Sequence, residues 1–461
     1  MANIKFGTDG WRAVTGEDFN SENVTLVTNA IAKYIFDKFG LDKKIIIGYD
    51  PRNQADVLSK LCADILVQKG FHVLYSKKVI PTPVLAFNAK YLNACAIMFT
   101  ASHNPPEYLG LKFIPDYAGP ATSEITDEIV KNIGETIENS LEGSFEYYDF
   151  SKAYFEHMEN LIDFDAIKKS HTNIIFDGLY SATIGYFDKI LKDNGIKFKT
   201  LHMKHDPNFG GGMPEPKPKY MQELIKQVQN SVNSVGFAND GDGDRFGVID
   251  EKGNYVTPNE IIAILLMHLT KNKGLKGSLV KTVGASTLLD IVAEKSNVEL
   301  IETAVGFKHV GEAMRKYNPV IGGEDSGGLS IQGHIPEKDG ILANLLILEA
   351  MSYEHKTLVQ LEEDLQKYAG AKFYNDRIDE KLETREQVTK ALENAEKMKF
   401  LGKYKVTKVN KIDGVKLYFE DNSWILVRPS GTEPLLRIYI ECDSLEKLEE
   451  FKENIKNASI A

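Results

Sequence analysis

A chain of 461 residues is too long for one hydrophobic core, and at roughly 100 to 200 residues per domain three or four domains are expected. Apolar residues at 43% and charged residues at 26%, with 36 Gly and 16 Pro spread along the chain, exclude a disordered or fibrous protein. A formal charge of -11 excludes broad nucleic-acid binding and requires that an anionic small substrate meet a locally basic pocket.

Residues 44–49 are a short apolar run, and Leu58, Leu61, Cys62, Ile65 and Leu66 then share one helical face that Gly70 closes. With strands predicted at 71–75 and 94–99, residues 1–150 read as an α/β domain bounded by a polar, acidic stretch at 138–146. The pattern restarts with a strand at 173–176, a helix at 183–192 stopped by Gly195, and a strand at 196–201. A Pro- and Gly-rich loop at 206–218 and a strand at 235–238 complete a second domain, 151–253. Thr257-Pro258-Asn259-Glu260 joins a hydroxyl N-cap, Pro at the first helical position and Glu three residues after the cap. It opens a third domain, 254–368, with strands at 278–283, 298–303 and 319–321 and a helix at 340–353. From 369 to 461, period-two alternation at 416–419, 424–427 and 436–440 predicts a small antiparallel sheet covered by a helix at 445–455, an α+β domain. Three of the predicted strands run into polar loops, at 100–105, 240–245 and 324–328. Ligands of α/β sheets bind beyond the carboxyl ends of strands, so these loops are expected to converge on one cleft.

Cys62, Cys95 and Cys442 are an odd, widely spaced set, expected to be reduced and buried rather than paired or bound to zinc. The first residues lack a signal-peptide pattern, and the longest apolar stretch, 261–267, is far too short to span a bilayer. A cytoplasmic protein without membrane or nucleic-acid partners is expected.

Asp240-Gly241-Asp242-Gly243-Asp244 places three carboxylates around two glycines that permit a tight turn, an array suited to a hard, oxygen-seeking cation. A calcium loop is the specific rival, with Glu251 at its twelfth position, but Arg245 stands where that loop requires Gly. Ser102 follows a buried strand in a small-residue loop, and its neighbour His103 does not by itself make a triad, since the flanks of a nucleophile elbow are missing. Arg428-Pro429-Ser430-Gly431-Thr432-Glu433 joins a guanidinium, two hydroxyls and an approachable backbone, the donors a phosphate needs, and Arg437 offers a second fork. A polar hairpin turn is the plainer reading of that segment. Gly322-Gly323-Glu324-Asp325-Ser326-Gly327-Gly328 offers carboxylates and a hydroxyl on flexible backbone, which suits sugar hydroxyls or an ordinary capping loop.

In this order, together with Gly7-Thr8-Asp9-Gly10-Trp11-Arg12 and Thr100-Ala101-Ser102-His103-Asn104-Pro105, these segments resemble the α-D-phosphohexomutase family over essentially the whole chain. That family includes phosphoglucomutase, phosphomannomutase and phosphoglucosamine mutase. The resemblance implies three related α/β domains with mixed sheets and a smaller C-terminal α+β domain around a central cleft. Each domain would bring one loop: phosphoserine, metal, sugar and phosphate, in chain order. It implies a phosphorylated Ser102, with Mg2+ held by Asp240, Asp242, Asp244 and an oxygen of phospho-Ser102. Glu324 and Ser326 would meet sugar hydroxyls, and Arg428, Ser430, Gly431 and Thr432 the phosphate that is not reacting, with Arg12, Lys112, Arg245, Lys308 and His309 as further cleft residues.

Phosphoryl transfer needs positioning and charge neutralisation, so a cation and a basic cradle on opposite sides of a sugar are the expected equipment. Phospho-Ser102 would donate to a hexose 1-phosphate, giving a 1,6-bisphosphate that turns over before the other phosphoryl group returns. Glucose 1,6-bisphosphate would be activator and intermediate. Lys112, crowded by cations that lower its pKa, is the first candidate to take the hydroxyl proton, with His103 and His309 behind it. Glucose is the expected sugar, mannose a slower one and glucosamine the least favoured, because Gly328 stands where relatives acting on mannose and glucosamine commonly carry His, and 305–309 is similar to the glucose branch. A sugar phosphatase working through the same phosphoserine is the alternative from another class, distinguished by admitting water.

Overall fold

Four β-sheets follow one another along the chain in the computed structural model, which describes residues 4–7, 9–138, 142–430 and 434–458. In the first, Ile45–Tyr49 lies between His72–Ser76 and Cys95–Phe99 in parallel register. Both faces of this centre are covered, which is why its strands read as unbroken apolar runs. Tyr108–Ile114 and Gly10–Val14 extend the sheet antiparallel. The polar stretch expected to end the first domain instead leads into an edge strand, Ser144–Tyr148, parallel to His72–Ser76. As an edge strand it is exposed or only half-buried, and its aromatics Phe145, Tyr147 and Tyr148 lie within a stretch that begins with charged residues.

The second sheet pairs Asn173–Asp177, Phe198–Leu201 and Ser234–Asn239 in parallel, with Phe246–Ile249 and Tyr255–Val256 added antiparallel. The helix expected at 183–192 begins only at Phe187, because Gly185 is left-handed (φ 84°) and its N–H donates to the Asp188 carboxylate at 2.6 Å. In the third sheet Ser278–Thr282 is flanked in parallel by Glu299–Thr303 and Ile321–Glu324, and Gly328–Ile331 turns back antiparallel. The last parallel strand starts later than expected and carries Gly322, Gly323 and Glu324 into the sheet. A β-carbon on Gly323 would lie 2.5 Å from Ile262 Cδ1, so a helix packs where side chains would otherwise stand.

Helix Pro258–Lys271 has the capping box read from its first residues, with Thr257 and Glu260 bonding each other's backbone N–H. Helix Gly340–Glu354 is buried all round from Gly340 to Ser352, as its apolar sequence demands. It packs on the second and third sheets, and one continuous apolar core joins Ile46 and Leu74 of the first sheet, Phe176 and Phe237 of the second, and Leu279 and Ile321 of the third. All three cysteines are buried and unpaired, as expected. No helix among the described residues is long and apolar enough to cross a membrane.

The fourth sheet is antiparallel, ordered Tyr374–Lys381, Leu435–Cys442, Trp424–Pro429, Val415–Phe419, Tyr404–Asn410 and Phe400–Leu401. Helices Arg385–Lys397 and Leu445–Asn457 close its separate core. Strand Tyr374–Lys381 and helix Arg385–Lys397 escape sequence reading because both are largely polar and exposed. The sheet's other face meets the third domain through Trp424 and Leu426 against Val283. Trp424 Nε1 donates to Glu441 Oε1 at 2.7 Å and to Thr287 Oγ1 at 3.1 Å, and Lys416, stacked 3.8 Å over the indole, donates to the Val283 carbonyl at 2.7 Å. Trp424→Phe keeps the packing but removes a donor from the fully buried Glu441 carboxylate. The urea midpoint read by circular dichroism is expected to fall, by a loss of roughly 1 to 3 kcal/mol.

Candidate active site

The buried strand Ser234–Asn239 delivers the chain into the aspartate loop, where Asp240, Asp242 and Asp244 are all buried and offer oxygens within 4.8 Å of one another. Three directions of support hold the loop. Thr82 N–H donates to Asp242 O at 2.8 Å, Gly340 N–H to Gly243 O at 3.1 Å, and Gly241 N–H to Pro214 O at 3.1 Å. The first two partners come from the first and third domains, so the loop lies where three sheets meet. Gly241 is required here by close approach, since a β-carbon would stand 2.6 Å from the Ser102 carbonyl.

Two lysines face these carboxylates. Lys112 Nζ lies 3.0 Å from both Asp242 Oδ2 and Asp244 Oδ2 and 2.8 Å from Asp9 Oδ2; Lys338 Nζ lies 3.1 Å from Asp244 Oδ2 and 3.5 Å from Asp9. Burial alone would strip Lys112 of its proton, but Asp242, Asp244 and Asp9 overcome it and raise its pKa well above the ordinary range. The crowding by cations expected around Lys112 is therefore not found. Acids outweigh Lys338, which shares Asp9 and Asp244 with it. Burial likewise opposes ionisation of Asp244, yet Lys112 and Lys338 hold its carboxyl well below the usual range. Asp240 moves the other way, pushed up by burial and by Asp244 and Asp242. Asp242 Oδ1 and Asp244 Oδ1 are buried acceptors without a hydrogen-bond partner, which, with three convergent carboxylates, fits a hard divalent cation such as magnesium.

Ser102 lies against this loop, its hydroxyl donating to Asp240 Oδ2 at 2.7 Å. The residue is 1% exposed and left-handed, with φ 51°, a conformation costing a non-glycine residue about 1 to 3 kcal/mol. Its N–H is fixed by Thr100 Oγ1 at 2.8 Å. His103 Nδ1 stands 3.4 Å from Ser102 Oγ, and burial, with Arg245 and Arg12, pushes its pKa down to about 2, so the ring is neutral. Arg12 braces the same loop, donating to Asn104 Oδ1 at 2.7 Å and Ala101 O at 3.3 Å. Arg245 donates its backbone N–H to Asp240 Oδ1 at 3.0 Å while its buried Nε has no partner, leaving a cationic donor at the loop's exit.

The loop at 324–328 abuts the aspartate loop, with Phe246 N–H donating to Gly327 O at 3.0 Å and Ser326 Oγ donating to Glu324 Oε1 at 2.6 Å. Lys308 reaches away to Ser123 Oγ at 2.9 Å in the first domain, and His309, half-buried, is lowered by burial and by Lys308. On the fourth sheet Arg428 and Arg437 are register partners; Arg428 Nε donates to Asp413 Oδ2 at 2.6 Å and Arg437 Nε is buried without a partner. Asp413 Oδ2 also accepts from Val305 N–H at 3.0 Å, which ties the arginine to the third domain. Ser430 N–H donates to Leu435 O at 2.8 Å across the turn. Gly431 and Thr432 lie outside the described residues.

The sequence-derived set of site residues lacks Asp9 and Lys338. Asp9 has a signal, its place in the Gly7 to Arg12 motif. Lys338 is marked only by lying in Glu337-Lys338-Asp339, three charged residues directly before the mostly apolar helix Gly340–Glu354. All three are buried, a costly arrangement with no reason visible in sequence.

Models of the phosphoglucomutase/phosphomannomutase α/β/α domains I, II and III match residues 3–140, 152–253 and 257–368, and that of the C-terminal domain matches 377–458. The chain is 30% identical to a protein named phosphoglucomutase/phosphomannomutase from Thermococcus kodakarensis, across 97% of this chain and 96% of that one. It is 31% identical to a phosphoglucosamine mutase from Methanocaldococcus jannaschii, across 90% and 92%. A crystal structure from Thermus thermophilus, of a protein provisionally named phosphomannomutase, superposes with a TM-score of 0.88 at 30% identity and 99% coverage of both chains.

The buried acceptors lead to a test of cation binding. Magnesium at about a hundred times its Kd is expected to stabilise the protein by about 2.7 kcal/mol. The thermal midpoint should rise accordingly for the wild type and stay unmoved for Asp242→Ala. Equal shifts in the two proteins would place the ion elsewhere.

Proposed function

The chain belongs to the phosphoglucomutase/phosphomannomutase family of phosphohexomutases, and we propose that it interconverts the 1- and 6-phosphates of a gluco-configured hexose through a phosphoryl group carried on Ser102. As a member it is a mutase, an intramolecular phosphotransferase. The observation that carries the proposal is the bond from the Ser102 hydroxyl to Asp240 inside a buried cluster of carboxylates and lysines. In the proposed division of labour each domain, with boundaries at 150, 253 and 368, presents one loop to the cleft.

Ser102 Oγ bears the phosphoryl group, and a sugar hydroxyl attacks the phosphorus in line while the Ser102 oxygen departs, the proton lost by the sugar hydroxyl being regained by Ser102 Oγ. Mg2+ bound by Asp240, Asp242 and Asp244 supplies charge neutralisation at the transferring oxygens. Lys112 and Lys338, kept protonated by the same acids, present N–H donors to that side of the cleft. Glu324 and Ser326 hold sugar hydroxyls, and Arg428, with Ser430, Gly431, Thr432 and Arg437, holds the distal phosphate. Glucose 1,6-bisphosphate or its counterpart is the intermediate, and burial of Ser102 supports transfer to sugar over transfer to water.

For the sugar, the relatives' names favour glucosamine phosphate over the glucose expected from the loops around 305–309 and 328. The amino sugar is therefore the first substrate to test. Glucose keeps one structural argument: a β-carbon at Gly328 would lie 2.3 Å from Lys338 Cδ, so Lys338 fills the space a His at 328 needs. Values of kcat/KM for glucosamine, glucose and mannose 1-phosphates, at matched magnesium and bisphosphate, are expected to rank glucosamine first, within about 10 to 200-fold of glucose. A preference for glucose of any size would reverse the ranking and leave the mutase chemistry standing. Ser102→Ala is expected to fold and to lose turnover, with intact mass showing a phosphate on the wild type alone. Retained turnover would remove the phosphoserine.

A further inference from the structure

Arg52 lies against the Ser102 loop with its side chain fully buried. A guanidinium carries five N–H donors in a rigid plane, and here all five have acceptors. Nη2 donates to the carbonyls of Ser102 and Asn104, both at 2.7 Å, and Nη1 to those of Pro105 at 2.7 Å and Tyr108 at 3.0 Å. Nε donates to Asp50 Oδ2 at 3.2 Å. The same Asp50 oxygen accepts from Thr100 Oγ1 at 2.6 Å, and Thr100 Oγ1 accepts the Ser102 N–H. Four carbonyls of one short loop are thus drawn to one cation, and Ser102 is pinned from both its backbone carbonyl and its backbone N–H. The ring of Phe209, from the second domain, lies 5.0 Å from the guanidinium carbon and closes the back of the site.

We propose that Arg52 is a positioning residue for phosphoryl transfer, which holds the Ser102 loop in its left-handed conformation so that the hydroxyl faces the aspartates. Left-handed backbone is disfavoured for serine, so something outside the loop must hold it. The four carbonyl bonds are that restraint. They fix the loop carbonyls on the guanidinium while the Ser102 hydroxyl keeps its bond to Asp240. Lysine cannot replace arginine here, because its three donors on a flexible stem cannot meet four carbonyls and a carboxylate in one plane. Arg52 touches no reacting atom. Its loss should slow transfer to and from Ser102 and leave sugar-phosphate binding unchanged.

The inference rests on Ser102 being the phosphoryl carrier, and the test separates the two. Wild type and Arg52→Lys are treated with glucose 1,6-bisphosphate and magnesium, and phosphate on the protein is followed by intact mass against time, beside steady-state kinetics. Arg52→Lys is expected to reach the same final occupancy as the wild type at a rate lower by about 100-fold, with kcat reduced in step and KM unchanged. A partly unfolded variant would instead reach lower occupancy at the wild-type rate, and that result overturns the positioning role. So does an unchanged rate. Wild type that takes up no phosphate overturns the phosphoserine itself. Should Arg52→Lys not fold, Arg52→Gln, which keeps a donor for the loop carbonyls without a buried charge, is read by the same outcomes.

Discussion

Asp240, Asp242 and Asp244 crowd their oxygens within 4.8 Å in a buried loop, where two unit charges repel by roughly 3 to 4 kcal/mol at an effective dielectric of about 20. Such a loop stands only if cations are brought to it, and the two that arrive come from different sheets. Lys112 sits on strand Tyr108–Ile114 of the first, and Lys338 precedes helix Gly340–Glu354 beside the third. Asp9 shares both lysines. The electrostatic need of one loop therefore clamps three domains to a common point, and the apolar core that runs through all three follows the same geometry.

The same interaction orders the chemistry. Lysines paired with buried acids keep their protons, and a neutral His103 beside Ser102 adds no charge, so the cluster is tuned to neutralise an incoming phosphoryl group. Ser102 is held in a costly conformation between this cluster and the Arg52 fork. Positioning of this kind suits phosphoryl transfer, in which the protein has little covalent work beyond carrying the group.

The fourth domain answers to different forces. Its sheet has its own core and meets the third domain through an indole, a stacked lysine and a buried glutamate. Asp413 binds both the Arg428 guanidinium and the Val305 backbone, so the phosphate loop and the third domain share one carboxylate. In the proposed mechanism a distal phosphate would compete with Asp413 for the same guanidinium, which would couple phosphate recognition to the contact between domains.

Local periodicity, caps and turn residues lie within a few positions of one another, and features of that range are legible in the unfolded chain. The central parallel strands of the first three sheets, the capping box at Thr257, the helix at 340 and the three aspartates are all of this kind. So are Ser102, Glu324 and Arg428, because each sits in a short motif whose residue types match phosphoryl or sugar chemistry. Polar elements such as Tyr374–Lys381 and Arg385–Lys397 are not, since wet faces carry no apolar period. The buried antiparallel strands Tyr108–Ile114, Phe246–Ile249 and Gly328–Ile331 are also not among the strands expected from sequence. Tertiary structure alone decided the acidic surroundings of Lys112, the place of Lys338 and the partners of Arg52. Lys112 meets acids 130 and 132 residues away, and Arg52 meets carbonyls 50 to 56 residues away. A pKa or a hydrogen bond depends on neighbours within a few ångströms, and only the folded chain sets which residues those are.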